Sequence, residues 1–198
     1  MIDLIYGLDL KAFNAVFGLR SFILTYFMRL FSQLGDSALV WLVAAVLLLL
    51  SRKTRKTAFS IGVSLLMVLL LVDLGLKGIV QRPRPFDYAP WQSGLFTYPE
   101  LIVRPGDFSY PSVHAASSFA AATAVFCNGK KAYKKLLLFA AAAVISFSRL
   151  YLGVSYLSDI VAGALLGAIF GAVGSLLVRA VLDLCKKAGF GFMKYFDL

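Results

Sequence analysis

The stretch TAFSIGVSLLMVLLLVDLGLKGIV, residues 57–80, decides the class of this chain. A helix rises 1.5 Å per residue, so about 20 apolar residues cross the ~30 Å hydrocarbon layer of a bilayer. This run is long enough, and its only charges, Asp73 and Lys77, lie toward one end. Further apolar segments fall at about 21–34, 37–50, 112–127, 133–148 and 158–182. In hydrocarbon a helix satisfies its backbone polar groups internally, so the pattern predicts an all-α polytopic membrane helical bundle of about six helices. The segment 21–34 is short and carries Arg29, and reads as re-entrant or interfacial. The segment 37–50 is also short and is expected to extend back through Gly35 and Asp36.

Composition agrees. Hydrophobic residues make up 60% of the 198, against roughly 45–50% in soluble chains. Only 15% are charged, too few to cover a water-soluble surface. The net charge of +10 would suggest nucleic acid on a soluble protein. Here the cations cluster beside the apolar segments, so the partner is the bilayer and no nucleic acid is expected. No linker rich in Gly, Ser or Pro divides the chain. Residues 1–34 read as an amphipathic, interfacial region with a short first helix, 35–185 as the membrane core and 186–198 as a cytoplasmic tail. Asp3, Asp9 and Lys11 interrupt any early apolar core, so residues 2–18 are expected as an interfacial helix, not a signal peptide.

The cations also orient the bundle. The connections SRKTRK (51–56) and NGKKAYKK (128–135) and the C-terminal region 179–194 each hold four Lys or Arg, twelve in all. With alternating spans they share one side. The other side has five: Lys77, Arg82, Arg84, Arg104 and Arg149. The positive-inside rule puts the twelve in the cytoplasm, leaving loop 82–111 and turn 149–157 outside.

On that outer side three segments carry chemistry. KGIVQRPRP places Lys77 at a span end with Arg84 beyond it; YPSVHA opens a helix with Pro111, Ser112 and His114; SRLYLGVSYLSD holds Arg149, Ser155 and Asp159. Lys77, Arg84 and Arg149 supply positive charge for a phosphate, Arg as a planar fork and Lys as a point charge. Ser112 offers a hydroxyl, and a helix N-terminus adds backbone N–H donors. His114, the single histidine, is the side chain suited to protonate a leaving oxygen near neutral pH. One histidine and two isolated cysteines, Cys127 and Cys185, make neither a metal site nor a disulfide framework, so no metal or other cofactor is expected. Taken singly, each residue has a plainer reading. Lys77 snorkels, Arg82 and Arg84 anchor headgroups, Ser155 and Ser158 are loop serines, Asp159 caps a helix, and Tyr151 and Tyr156 are interfacial aromatics. Their joint occurrence in order on one side favours a site.

The three segments resemble the motifs of the type 2 phosphatidic acid phosphatase superfamily, K-x6-R-P, P-S-x-H and S-R-x5-H-x3-D. The chain has Lys77-x6-Arg84-Pro85, Pro111-Ser112-Val113-His114 and Ser148-Arg149-x5-Ser155-x3-Asp159. The spacings match, and the resemblance covers roughly residues 35–182. It implies that Lys77, Arg84, Ser112 and Arg149 bind phosphate. It also implies that His114 is the general acid, that Asp159 orients the residue at position 155, and that no metal takes part. The implied substrate is a membrane lipid phosphate or pyrophosphate. Undecaprenyl pyrophosphate in a bacterial plasma membrane is favoured, with phosphatidylglycerophosphate and phosphatidate next. The aromatics of loop 86–110, Phe86, Tyr88, Trp91, Phe96, Tyr98 and Phe108, read first as an interfacial belt and second as the lining of a lipid entry.

One departure matters. The family's nucleophile is the third-motif histidine, and Ser155 stands in its place. A serine hydroxyl must lose a proton before it attacks, and a phosphoserine monoester is very slow to hydrolyse. The catalytic set His114, Ser155 and Asp159 is therefore expected to be impaired in turnover while the cationic set still binds. An active-site variant of a phosphatase, a natural lipid-phosphate binding or transport protein on the same scaffold, and weak activity through Ser155 or water all fit.

Overall fold

The structure is a computed structural model that describes residues 2–87, 105–129, 132–190 and 196. Seven helices make up the described chain. They are α1 (Ile2–Phe17), α2 (Phe22–Leu34), α3 (Leu39–Leu49), α4 (Arg55–Met67), α5 (Val113–Asn128), α6 (Ala132–Tyr151) and α7 (Leu157–Lys187). Helix α4 continues unbroken through a π-helical stretch, Val68–Leu76, into a last α turn, Lys77–Val80. The fold class is the one expected, the six apolar segments being α2–α7, and the helix expected over residues 2–18 is α1.

Among the described residues, two largely helical stretches are long and apolar enough to cross a membrane, Arg55–Asp87 and Leu157–Lys187, of 33 and 31 residues. Helices α2 and α3 form a further pair, bent by 54°. The expectation that the second segment runs helically back through Gly35 and Asp36 fails here. Asp36–Ala38 is a 3₁₀ turn, and Ala38 sits in the left-handed region at φ 55°. The bend leaves α2 against the end of α6, where Thr25 Oγ1 lies 3.0 Å from the Tyr151 hydroxyl and Arg149 donates to Ser32 Oγ at 2.6 Å.

The centre of the bundle is the contact of α5 with α7, and small residues make it. Lipid tails are as apolar as leucine, so helices in a membrane associate through close backbone packing. Helix α7 presents Gly163, Gly167 and Gly171 at four-residue intervals, all buried. A Cβ at these positions would run into the carbonyl oxygens of Ser112, Ala116 and Ala120 on α5. Helix α5 answers with fully buried Ala116, Ala120 and Ala124. This contact ends at a backbone bond from Ser112 N to Asp159 O, 3.1 Å, which joins the start of α5 to the start of α7. At the other end Asn128 Nδ2 donates to Ser60 Oγ and Ser175 Oγ at 3.1 and 3.2 Å, tying α4, α5 and α7 together.

Helix α1 packs one face inward through Asp9, Phe13 and Val16, while Ile5, Leu8 and Leu10 face out. Tyr151 and Tyr156, which read as interfacial aromatics, are buried at 0% and 3% exposure. Tyr151 is held by the α2 N-terminus, and Tyr156 stacks against Arg82. Of the loop aromatics proposed for lipid entry, Phe86 is buried and Phe108 exposed; Tyr88, Trp91, Phe96 and Tyr98 lie outside the described residues.

Candidate active site

The helices alternate in direction, so the end of α4, the start of α5, the end of α6 and the start of α7 meet at one end of the bundle. Each brings a charged or polar side chain. A cavity of about 200 Å³ opens there, lined by Lys77, Arg84, Ser112, His114, Arg149 and Ser155, with Asp36, Asp73, Asp107 and Ser109. Six of the seven expected site residues thus line one space. The seventh, Asp159, is fully buried behind it.

Local structure explains the positions. The π-helical turn sends the Lys77 N–H back to Val72 O, five residues earlier. Gln81 then ends the helix in the left-handed region at φ 48°. Extra residues of this kind are frequent where a helix aims a functional side chain. Lys77 and Arg84 are buried at 7% and 4% exposure, so Arg84 is no headgroup anchor. Arg84 donates from each nitrogen: Nε to Asp107 O at 2.7 Å, Nη1 to Val154 O at 2.5 Å and Nη2 to Asp107 Oδ1 at 2.5 Å. Lys77 Nζ pairs with Asp73 Oδ1 at 2.9 Å and with Asp107. The carboxyl of Asp107 is raised by partial burial, but the Lys77 bond and the Arg84 guanidinium outweigh this and hold it below the usual carboxylate value.

Ser112 is the N-cap of α5 and accepts from Ala115 N, so its hydroxyl sits at a helix N-terminus facing the cavity. His114, two residues further on in the same first turn, places Nε2 2.8 Å from Asp36 Oδ1. Gly35 makes room for this pair, because a Cβ there would fall 2.7 Å from His114 Cδ2. Arg149 and Ser155 bracket the turn after α6, where both Val154 N and Ser155 N donate to Arg149 O.

Asp159 makes its own network. Oδ1 accepts from Arg82 Nη1 at 2.5 Å, and Oδ2 accepts from Tyr156 N at 2.8 Å and from the Ser109 hydroxyl. The bond to Tyr156 N is a helix cap, as the plainer reading of Asp159 had it. Arg82 is no headgroup anchor either, because its Nη2 reaches the buried Asp9 at 2.7 Å and its guanidinium lies 3.9 Å from the Tyr156 ring centre. Ser158 completes the cluster by donating through N and Oγ to Asp9, at 2.8 and 2.7 Å. It is a clamp, not a loop serine.

The sequence reading missed the acids. Asp73 was findable, standing four residues before Lys77 on one helix. Asp36 and Asp107 each follow a turn glycine, Gly35 and Gly106, and nothing in their spacing marks them. With them the cavity carries three carboxylates beside three cations. This arrangement can receive a compact anion between cations, with an imidazole at its edge.

A helical membrane bundle with an anion-receiving cavity at one end is the class that fold and site define. The sequence profile of the PAP2 superfamily matches residues 57–182, and the chain belongs to that family. A lipid A 4'-phosphatase from Bacteroides thetaiotaomicron is 30% identical over 176 residues, 86% of this chain and 77% of that protein. An undecaprenyl-diphosphatase from Sulfolobus acidocaldarius is 30% identical over 131 residues, 65% of this chain, and the match spans 59% of that relative's length. Among solved structures, Aquifex aeolicus LpxE superposes with a TM-score of 0.69 at 26% identity, covering 83% of this chain and 93% of that one. The PAP2-type phosphatidylglycerolphosphate phosphatase from Bacillus subtilis gives 0.70 over 90% and 88%, at 21% identity, a likeness of fold. The chain is an integral membrane protein, and its relatives are phosphatases of lipid phosphates.

Proposed function

We propose that this protein binds the terminal phosphate of a membrane lipid phosphate or pyrophosphate and descends from enzymes that remove it. The observation behind the reading is the convergence of Lys77, Arg84, Ser112, His114, Arg149 and Ser155 on one cavity. Lys77, Arg84 and Arg149 balance the phosphate charge, and Ser112 and the α5 N-terminus donate to its oxygens. His114, oriented by Asp36, gives its proton to the leaving oxygen. Asp159 stiffens the turn that carries position 155.

A second cavity supports a lipid substrate. It measures about 430 Å³, lies between α3, α4 and α5, and is lined by Leu42, Leu65, Leu66 and Leu69. Asp73 and Val113 border both cavities, so an acyl or prenyl chain leaves the phosphate pocket sideways into apolar surroundings. Undecaprenyl pyrophosphate is the favoured substrate, then phosphatidylglycerophosphate and phosphatidate. The charge asymmetry supports a site on the outer face of a bacterial plasma membrane.

Ser155 limits the chemistry. Without an imidazole there, the chain binds but turns over poorly, and lipid-phosphate binding or transport without hydrolysis is the second reading that this serine favours. The test is phosphate release from the three lipids in detergent by the Ser155→His chain, with Arg84→Ala added to the same background. The reading expects release on restoration and its loss with Arg84. Equal release with and without Arg84 would contradict it.

A further inference from the structure

We infer that Asp107 is an internal counter-anion that competes with phosphate for Lys77 and Arg84 and must be displaced for a phosphate dianion to bind; this rests on the phosphate-binding reading above. Its carboxylate spans the two first-motif cations, one oxygen on Arg84 Nη2 at 2.5 Å and the other on Lys77 Nζ. This is the two-oxygen, two-cation arrangement that a phosphate edge would make. Three of the five N–H groups of Arg84 have protein partners, one on each nitrogen, and a phosphate that bridges Arg84 Nη2 and Lys77 Nζ competes with Asp107 for both cations. Of the three acceptors, two are backbone carbonyls, and that of Val154 is completely buried. The third is the Asp107 side chain, which is 46% exposed and borders the cavity.

The loop supports a local exchange. Ser109 N donates to Arg82 O at 2.9 Å, and Arg84 Nε holds the Asp107 carbonyl, so the backbone that follows the carboxylate is pinned. The carboxylate can rotate out to water while Arg84 stays in place. The ligand that drives this carries two negative charges on a terminal phosphate, whether free or on a lipid.

The test is equilibrium binding of inorganic phosphate, and separately of octylphosphonate, to the detergent-solubilised full chain and to Asp107→Asn. Asp107→Ser is the companion in case the amide misfolds, and a monodisperse elution profile checks each variant. Displacement predicts tighter binding in the variant by about tenfold or more in at least one arm, about 1.4 kcal/mol. Tightening with inorganic phosphate points to the free ion as sufficient, and tightening with octylphosphonate alone points to a lipid-borne phosphate. Weaker or unchanged binding in the variants, with clear binding to the native chain, overturns the inference and makes Asp107 a prop for Lys77 and Arg84. No binding of either ligand to any of the chains overturns the phosphate reading as well.

Discussion

His114 Nε2 and Asp36 Oδ1 lie 2.8 Å apart across 78 residues of sequence, joining the turn between α2 and α3 to the first turn of α5. A carboxylate on one ring nitrogen fixes the tautomer and orientation of an imidazole. In the Ser155→His background, Asp36→Asn is expected to lower kcat about 10²-fold with little change in KM, because general acid catalysis is worth roughly 10²–10⁴. Gly35→Ala should act in the same direction, since its methyl would fall on both His114 and Ile145 at 2.7 Å. Steady-state kinetics on a soluble lipid-phosphate analogue checks both.

Asp9 should prove essential to the fold of the site, although no site motif includes it. It is 1% exposed and accepts from Arg82 and from both donors of Ser158. Asp9→Ala leaves Arg82 with one carboxylate fewer in a buried setting, a change that ordinarily destabilises by about 3–5 kcal/mol. The thermal midpoint in detergent should fall clearly, and the Asp9→Ala/Arg82→Ala pair should lose less than the sum of the single changes.

The α5–α7 contact gives a steric prediction. Gly167→Leu would drive a side chain into the Ala116 backbone, whereas nothing lies within 4 Å of a Cβ at Gly62. Overpacking of a tight contact costs about 1–3 kcal/mol or more. The Gly167 variant should lose folded, monodisperse protein on size-exclusion chromatography, and Gly62→Leu should retain it.

Asp107 links stability to acid pH. Its folded carboxyl lies below the ordinary value of 3.8, so its contribution is fully present above that value and is lost as pH falls through the lower folded value. Unfolding midpoints of the native chain and Asp107→Asn should therefore run parallel above about pH 5 and converge as the pH falls below about 4. Parallel profiles throughout would contradict the ion pairs seen here.

Fold class and most of the cavity were legible because both rest on local pattern. Apolar runs such as 57–80 count out membrane helices, and the spacing from Lys77 to Arg84 survives whatever the loop does. The bend at Asp36–Ala38 was not legible, since Gly35, Asp36 and Ser37 mark a gap between two apolar segments but do not tell a continued helix from a 3₁₀ turn ending on a left-handed Ala38. Arg82 and Arg84 looked alike in RPRP, yet one faces Asp9 and Asp159 and the other faces the cavity. The burial of Tyr151 depends on Arg20, Ser21 and Thr25, more than 120 residues away, which spacing does not reveal.

The most direct measurement of the central claim is phosphate release by the native chain beside Ser155→His, under identical conditions with the same lipid phosphate. The account predicts release by the histidine form and turnover on the order of 10⁶-fold lower with serine, the scale on which loss of a nucleophile acts. Equal rates from the two chains would contradict it, because position 155 would then play no part in the chemistry.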